Sequence, residues 1–271
     1  MAEKTMKSEF QFEVCANSVE SCVAAQLGGA DRVELCAGIP EGGTTPSYGE
    51  IKQARRVLDE GAAQGLKATR LHVIIRPRGG DFLYSKLELE RMAEDIRICR
   101  ELGADGVVFG CLRPDGSLDT EANARLLDAA NCQLSIVNCQ LSATFHRAFD
   151  RCAQPEQVLE ELISQGFDRV LTSGQQATAA DGIALLKKLY EQAQGRITLL
   201  AGCGVNEENI RKIHDATGIT EFHFSAREAR KSRMGFANPN VYMGAKGADE
   251  DTILVTSEER VRNTIAQLLS V

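Results

Sequence analysis

The feature that most constrains this chain is an eightfold alternation of short β-rich runs with longer amphipathic stretches. The β-rich runs fall at residues 10–16, 32–37, 71–76, 106–111, 143–147, 169–173, 197–202 and 221–226. Between them lie helix-patterned stretches such as 18–27, 48–60, 87–102, 155–165 and 207–216, several opened by capping residues (Ser18, Asp119, Asn206). Most run into glycine before the next strand (Gly28, Gly65, Gly103, Gly166, Gly195, Gly218), as helix C-termini prefer. Eight β-then-α units in 271 residues predict an α/β fold, a single (β/α)8 TIM barrel, which typically takes about 250 residues. Residues 1–9 read as a short polar tail and 10–271 as the barrel. A long loop at 227–256 precedes a closing helix at 258–269, and a loop of that length suits a lid or an interface.

Composition narrows the setting. The net charge of −7 and the lack of a long basic run argue against a nucleic-acid partner. No apolar stretch is long enough for a membrane span, and the polar first nine residues do not read as a signal peptide. An intracellular location follows as the expectation. Nine cysteines, with no Cys-x-x-Cys pair among them, then read mainly as reduced thiols. Cys132 and Cys139 sit in a repeated Asn-Cys-Gln-Leu-Ser phrase, a local duplication lengthening one connection.

In such barrels the chemistry sits at the C-terminal ends of the strands. Side chains alternate across a strand, so Glu13 and Cys15 share a face opposite Phe12 and Val14, and Glu34 with Cys36 opposes Val33 and Leu35. The apolar face should meet the helices, which points the Glu and Cys pairs inward. His72, Arg76, His146, His223 and Ser225 follow by the same parity. Inward charges are costly unless paired. Glu13, Glu34, Arg76, His146 and Asp150 are therefore the catalytic candidates. Arg78, Gly202, Gly204 and Ser225 are candidates for anion binding, the last three because the loops after strands 7 and 8 commonly hold phosphate.

The runs Glu13-Val-Cys15, Gly29-Ala-Asp-Arg-Val-Glu-Leu-Cys36, Glu41-Gly-Gly-Thr-Thr-Pro46, Ile75-Arg-Pro-Arg-Gly-Gly-Asp-Phe-Leu-Tyr84, Thr144-Phe-His-Arg-Ala-Phe-Asp150 and Arg169-Val-Leu-Thr-Ser-Gly174 resemble the CutC copper-homeostasis family over nearly the whole chain. The resemblance implies a cytoplasmic TIM barrel, nuclear as well in animals, that self-associates as a homo-oligomer and binds Cu(I). Its two proposed cysteine ligands correspond to Cys15 and Cys36. Soft thiolates do select Cu(I). One departure is Gly202-Cys-Gly204, where the family resemblance implies three glycines.

Two functions follow. The first is a cytosolic Cu(I)-binding protein, with copper as its partner. The second is an enzyme acting on a small phosphorylated or carboxylated metabolite, in which a carboxylate or His146 moves a proton and Arg76 steadies the developing anion.

Overall fold

The computed structural model describes residues 10–131, 140–236, 238, 240–244, 249 and 251–269. Strands β1 (Gln11–Ala16), β2 (Arg32–Leu35), β3 (Arg70–Ile74), β4 (Gly106–Phe109), β5 (Ser142–Phe145), β6 (Arg169–Thr172), β7 (Thr198–Gly202) and β8 (Glu221–Phe224) form a closed barrel. Every neighbouring pair is parallel, and β1 pairs with both β2 and β8 to complete the circle. Helices α1 (Val19–Leu27), α2 (Tyr48–Ala63), α3 (Lys86–Glu101), α4 (Thr120–Ala130), α5 (Pro155–Gln165), α6 (Ile183–Ala193), α7 (Ile210–Thr217) and α8 (Glu258–Leu269) complete the barrel. This is the TIM-barrel architecture the alternation predicts.

Local chemistry fixes where the helices begin. Ser47 with Glu50, and Ser85 with Glu88, form reciprocal capping boxes at the starts of α2 and α3. The outward strand residues Phe12, Val14, Val33, Leu35, Leu71 and Val73 are buried in one continuous apolar core. That leaves the strands' other face for the barrel interior, where polar residues concentrate. Gly106 shows how tightly that interior is filled: a Cβ there would come within 2.6 Å of the His72 ring.

The stretch expected as a plain loop at 227–256 is built differently. Its ends form an antiparallel pair, β9 (Arg227–Lys231) with β10 (Thr252–Thr256). Asn17, in the turn after β1, donates from Nδ2 to the Leu254 carbonyl at 2.9 Å and holds this hairpin against the barrel mouth. The polar tail at 1–9 and most of the repeated cysteine phrase, Cys132 and Cys139 included, lie outside the described residues.

Candidate functional site

The barrel axis is occupied by a connected chain of charged and sulfur groups. At its inner end Arg32, whose side chain is wholly buried, pairs with Glu13 and, at 2.9 Å, with Glu221. Arg169 reaches the same Glu221 oxygen at 3.0 Å. Glu13 then meets His223 Nδ1 at 2.7 Å, and the other ring nitrogen, Nε2, lies 3.7 Å from Glu34. Cys36 Sγ lies 3.4 Å from Glu34 Oε2 and 3.8 Å from Cys15 Sγ. Arg227 closes the chain, donating from Nη2 to Cys15 Sγ at 3.1 Å.

These contacts set the protonation states. Burial works against ionisation of Glu13, but the Arg32 charge and the hydrogen bond with His223 prevail and hold it well below the usual carboxylate range. For His223 too, burial opposes charge. Hydrogen bonds with Cys15 and Glu13 and the Glu34 carboxyl outweigh it and favour the imidazolium. Glu34 is the contrasting case: desolvation dominates and pushes its carboxyl up to about 8, so it keeps its proton at neutrality. Hydrogen bonding from Cys36 draws the Cys15 thiol down, with help from His223 and Arg227, while Cys36 is held up as the donor of the pair. Of the two sulfurs, ionisation is favoured at Cys15 and the shared proton at Cys36.

A proton held this way affects folding stability with a defined sign. A carboxyl whose folded-state value is raised contributes stability that is complete below its unfolded value and lost as pH rises through about 8. Glu34→Gln is therefore expected to gain on the wild type progressively between about pH 5 and 8, reaching a few kcal/mol, because it removes that proton linkage. Urea unfolding at a series of pH values checks this, and parallel stability curves for the two proteins would refute it.

Above the thiols opens a cavity of about 510 Å³. Cys15, Glu34, Cys36, Arg76, His146 and Asp150 all line it, so six of the expected site residues converge. Glu13 does not reach it; it lies one layer deeper, fully buried. Arg78 also turns elsewhere, pairing with Glu88 at 2.6 Å and Asp81 at 2.9 Å to brace its own loop. Gly202, Gly204 and Ser225 are not among the lining residues. A Cβ at Gly202 would meet Leu171 Cδ1 at 2.5 Å, so packing explains that glycine. Gly204 has φ +72° and Cys203 φ +77°. Cys203 thus occupies the left-handed region that favours glycine, and its Sγ donates to the Ala177 carbonyl at 3.1 Å.

Two lining residues are also tied into the surrounding loops. Arg76 gives Nη1 to the carbonyls of Glu41 (2.7 Å) and Gly43 (2.9 Å) and Nη2 to that of Gly80 (2.9 Å), so it staples two loops together. Asp150 accepts from Thr172 Oγ1 at 2.6 Å and from the backbone N–H groups of Ser173 and Gln175, each at 3.1 Å. It organises the loop after β6.

Cys15, Glu34 and Cys36 form a cluster whose donor atoms all lie within 4.8 Å of one another. The sequence pattern of the CutC family matches residues 10–228, through both cysteines and the whole mouth. The chain belongs to the CutC family. A CutC family protein of Bacteroides thetaiotaomicron is 59% identical over 263 residues, covering 97% of this chain and 99% of that protein. The human copper homeostasis protein cutC homolog is 45% identical over 262 residues, covering 95% and 89%. Among solved structures, a CutC protein from Streptococcus agalactiae superposes with a TM-score of 0.72 at 36% identity, over 80% of this chain and 98% of that one.

Sequence reasoning missed four contributors. Arg32 shares the inward parity of Glu34 and Cys36, and that signal was available. Arg227 follows the last barrel strand, where alternation says nothing. Arg147 and Arg151 line the cavity from a 3-10 turn (Arg147–Arg151) that strand parity does not reach.

Proposed function

We propose that this CutC protein binds Cu(I) in the cytosol through Cys15 and Cys36, with Glu34 beside them. The observation that carries this reading is the thiol pair, with Sγ atoms 3.8 Å apart at the floor of an open cavity. Two sulfurs that share an ion at ~2.3 Å each lie within about 4.6 Å of one another, so little movement is required. Soft thiolates favour Cu(I) over hard cations. Charge argues for a monovalent ion as well. A Cu(I) that replaces the shared proton leaves the net charge of the buried cluster unchanged, whereas a divalent ion would add one positive charge. No described helix is long and apolar enough to cross a membrane. Self-association belongs to the same reading, supported by Met234, Phe236 and Met243, which stand exposed on the segment between β9 and β10.

Competition against a Cu(I) chelator under anaerobic conditions tests the proposal. Cys15→Ser with Cys36→Ser is expected to weaken binding by roughly 100-fold or more, beyond the 10–100-fold typical of losing an outer-sphere partner. Equal affinity in the two proteins would remove the basis for a thiolate site.

A further inference from the structure

The cavity offers far more room than an ion needs. Its volume of about 510 Å³ falls within the ~300–1,000 Å³ typical of small-molecule sites. Its walls are cationic, with Arg76, Arg147, Arg151 and Arg227 all among the lining residues. Four guanidinium groups there stand against two carboxyl groups, Asp150 and Glu34, and the Cys15 sulfur that Arg227 meets at 3.1 Å. Asp150 is taken up by its loop and by the ion pair with Arg147 at 2.7 Å, and Glu34 sits 3.4 Å from Cys36 Sγ and 3.7 Å from His223 Nε2.

Two donors in this wall, on His146 and Arg76, are buried and unpaired among the described residues, as is the Nε–H of Arg227. His146 is 3% exposed, and its Nδ1 accepts the Ala148 N–H at 3.2 Å, which places the ring proton on Nε2. That Nε2–H has no partner among the described residues, and neither does the Nε–H of Arg76. A buried donor left unpaired costs roughly 1–3 kcal/mol, so two together need a reason. Half-buried Phe82 packs on both, its ring centre 4.9 Å from that of His146 and 5.1 Å from the Arg76 guanidinium carbon.

We propose that this cavity is a binding site for a small organic anion bearing a carboxylate or phosphate group. Arg147, Arg151 and Arg227 supply the positive field, and His146 Nε2–H supplies a directional hydrogen bond. The carbon skeleton rests on Phe82, Ile74 and Leu171. His146 acts as a neutral donor here, not as a base. The site needs no metal, so it stands or falls separately from the Cu(I) reading.

The test is thermal-shift titration of metal-free, reduced protein with two arms of probes. One arm contains pyruvate, succinate and citrate; the other contains inorganic phosphate and glycerol 3-phosphate. Saturable stabilisation by at least one probe is expected, and the responding arm identifies the anionic group. Arg147→Gln with Arg151→Gln is expected to weaken that probe roughly tenfold or more, while Arg125→Gln on the outer face of α4 leaves it unchanged. No saturable shift in either arm at tens of millimolar, or equal binding by the double variant, overturns the proposal. If the double variant does not fold, the wild type decides. Saturable movement of the His146 ring ¹⁵N resonance with the probe supports the site, and a stationary resonance refutes it.

Discussion

Replacing Arg32 with methionine is expected to cost about 3–5 kcal/mol of folding stability, the usual penalty for breaking a buried ion pair from one side. The Arg32 side chain has no solvent exposure and serves two carboxylates, Glu13 and Glu221. Glu221 retains Arg169 after the change. Glu13 keeps the His223 imidazolium but loses its guanidinium partner, in a position with no access to water. Most of the loss is therefore the cost of a stranded carboxylate, and the substitution alone does not measure the worth of the pair. A second variant separates the two. Arg32→Met combined with Glu13→Leu removes both charges and should recover much of the loss, since replacing a buried pair with apolar groups is often close to neutral. Urea unfolding at neutral pH supplies the free energies. A single-variant cost below about 1 kcal/mol, or strict additivity in the double variant, would show that the inner charges are not coupled.

Cu(I) affinity is expected to rise steeply with pH. Cys15 already holds the negative charge of the thiol pair, so the proton lost on binding comes from Cys36, whose own ionisation is held up. One released proton makes affinity climb about tenfold per pH unit. Glu34 adds to this below about 8, where it is still protonated, because a cation among the sulfurs favours its carboxylate. From about pH 6 to pH 8 the dissociation constant should therefore fall by about 100-fold to 10,000-fold, one to two protons per ion. Glu34→Gln should bring the slope back to about one proton. Chelator competition at several pH values measures both slopes. A flat profile would mean that Cys36 does not bind as a thiolate.

Much of this was legible from residue order. Alternation specified the barrel because parallel strands buried on both sides need a helix after each one. Strand parity located Cys15, Glu34 and Cys36 on one face, since a period of two leaves no other placement. It failed where the deciding contact is not periodic. Arg76 reads as an anion clamp, and its two terminal amino groups are given to three carbonyls from two loops while its Nε–H is left without a partner among the described residues. Gly202 reads as a phosphate cradle, yet the Leu171 and His223 side chains account for it by packing. Both answers depend on which distant atoms fill the space, and local sequence does not carry that information. The layering inside the barrel was equally hidden: Glu13 and Glu34 share parity but lie at different depths, because neighbouring strands are staggered along the axis.

The cation beside Cys15 comes from outside the barrel's eight strands. Arg227 is the first residue of β9, where the hairpin leaves the barrel, and its reach to the sulfur depends on how that hairpin is seated. The hairpin lies outside the barrel's eight strands yet takes part in the chemistry of its mouth. Trimming it away would spare all eight barrel strands and still take from the thiolate its guanidinium donor. In this chain the boundary of the site and the boundary of the fold do not coincide.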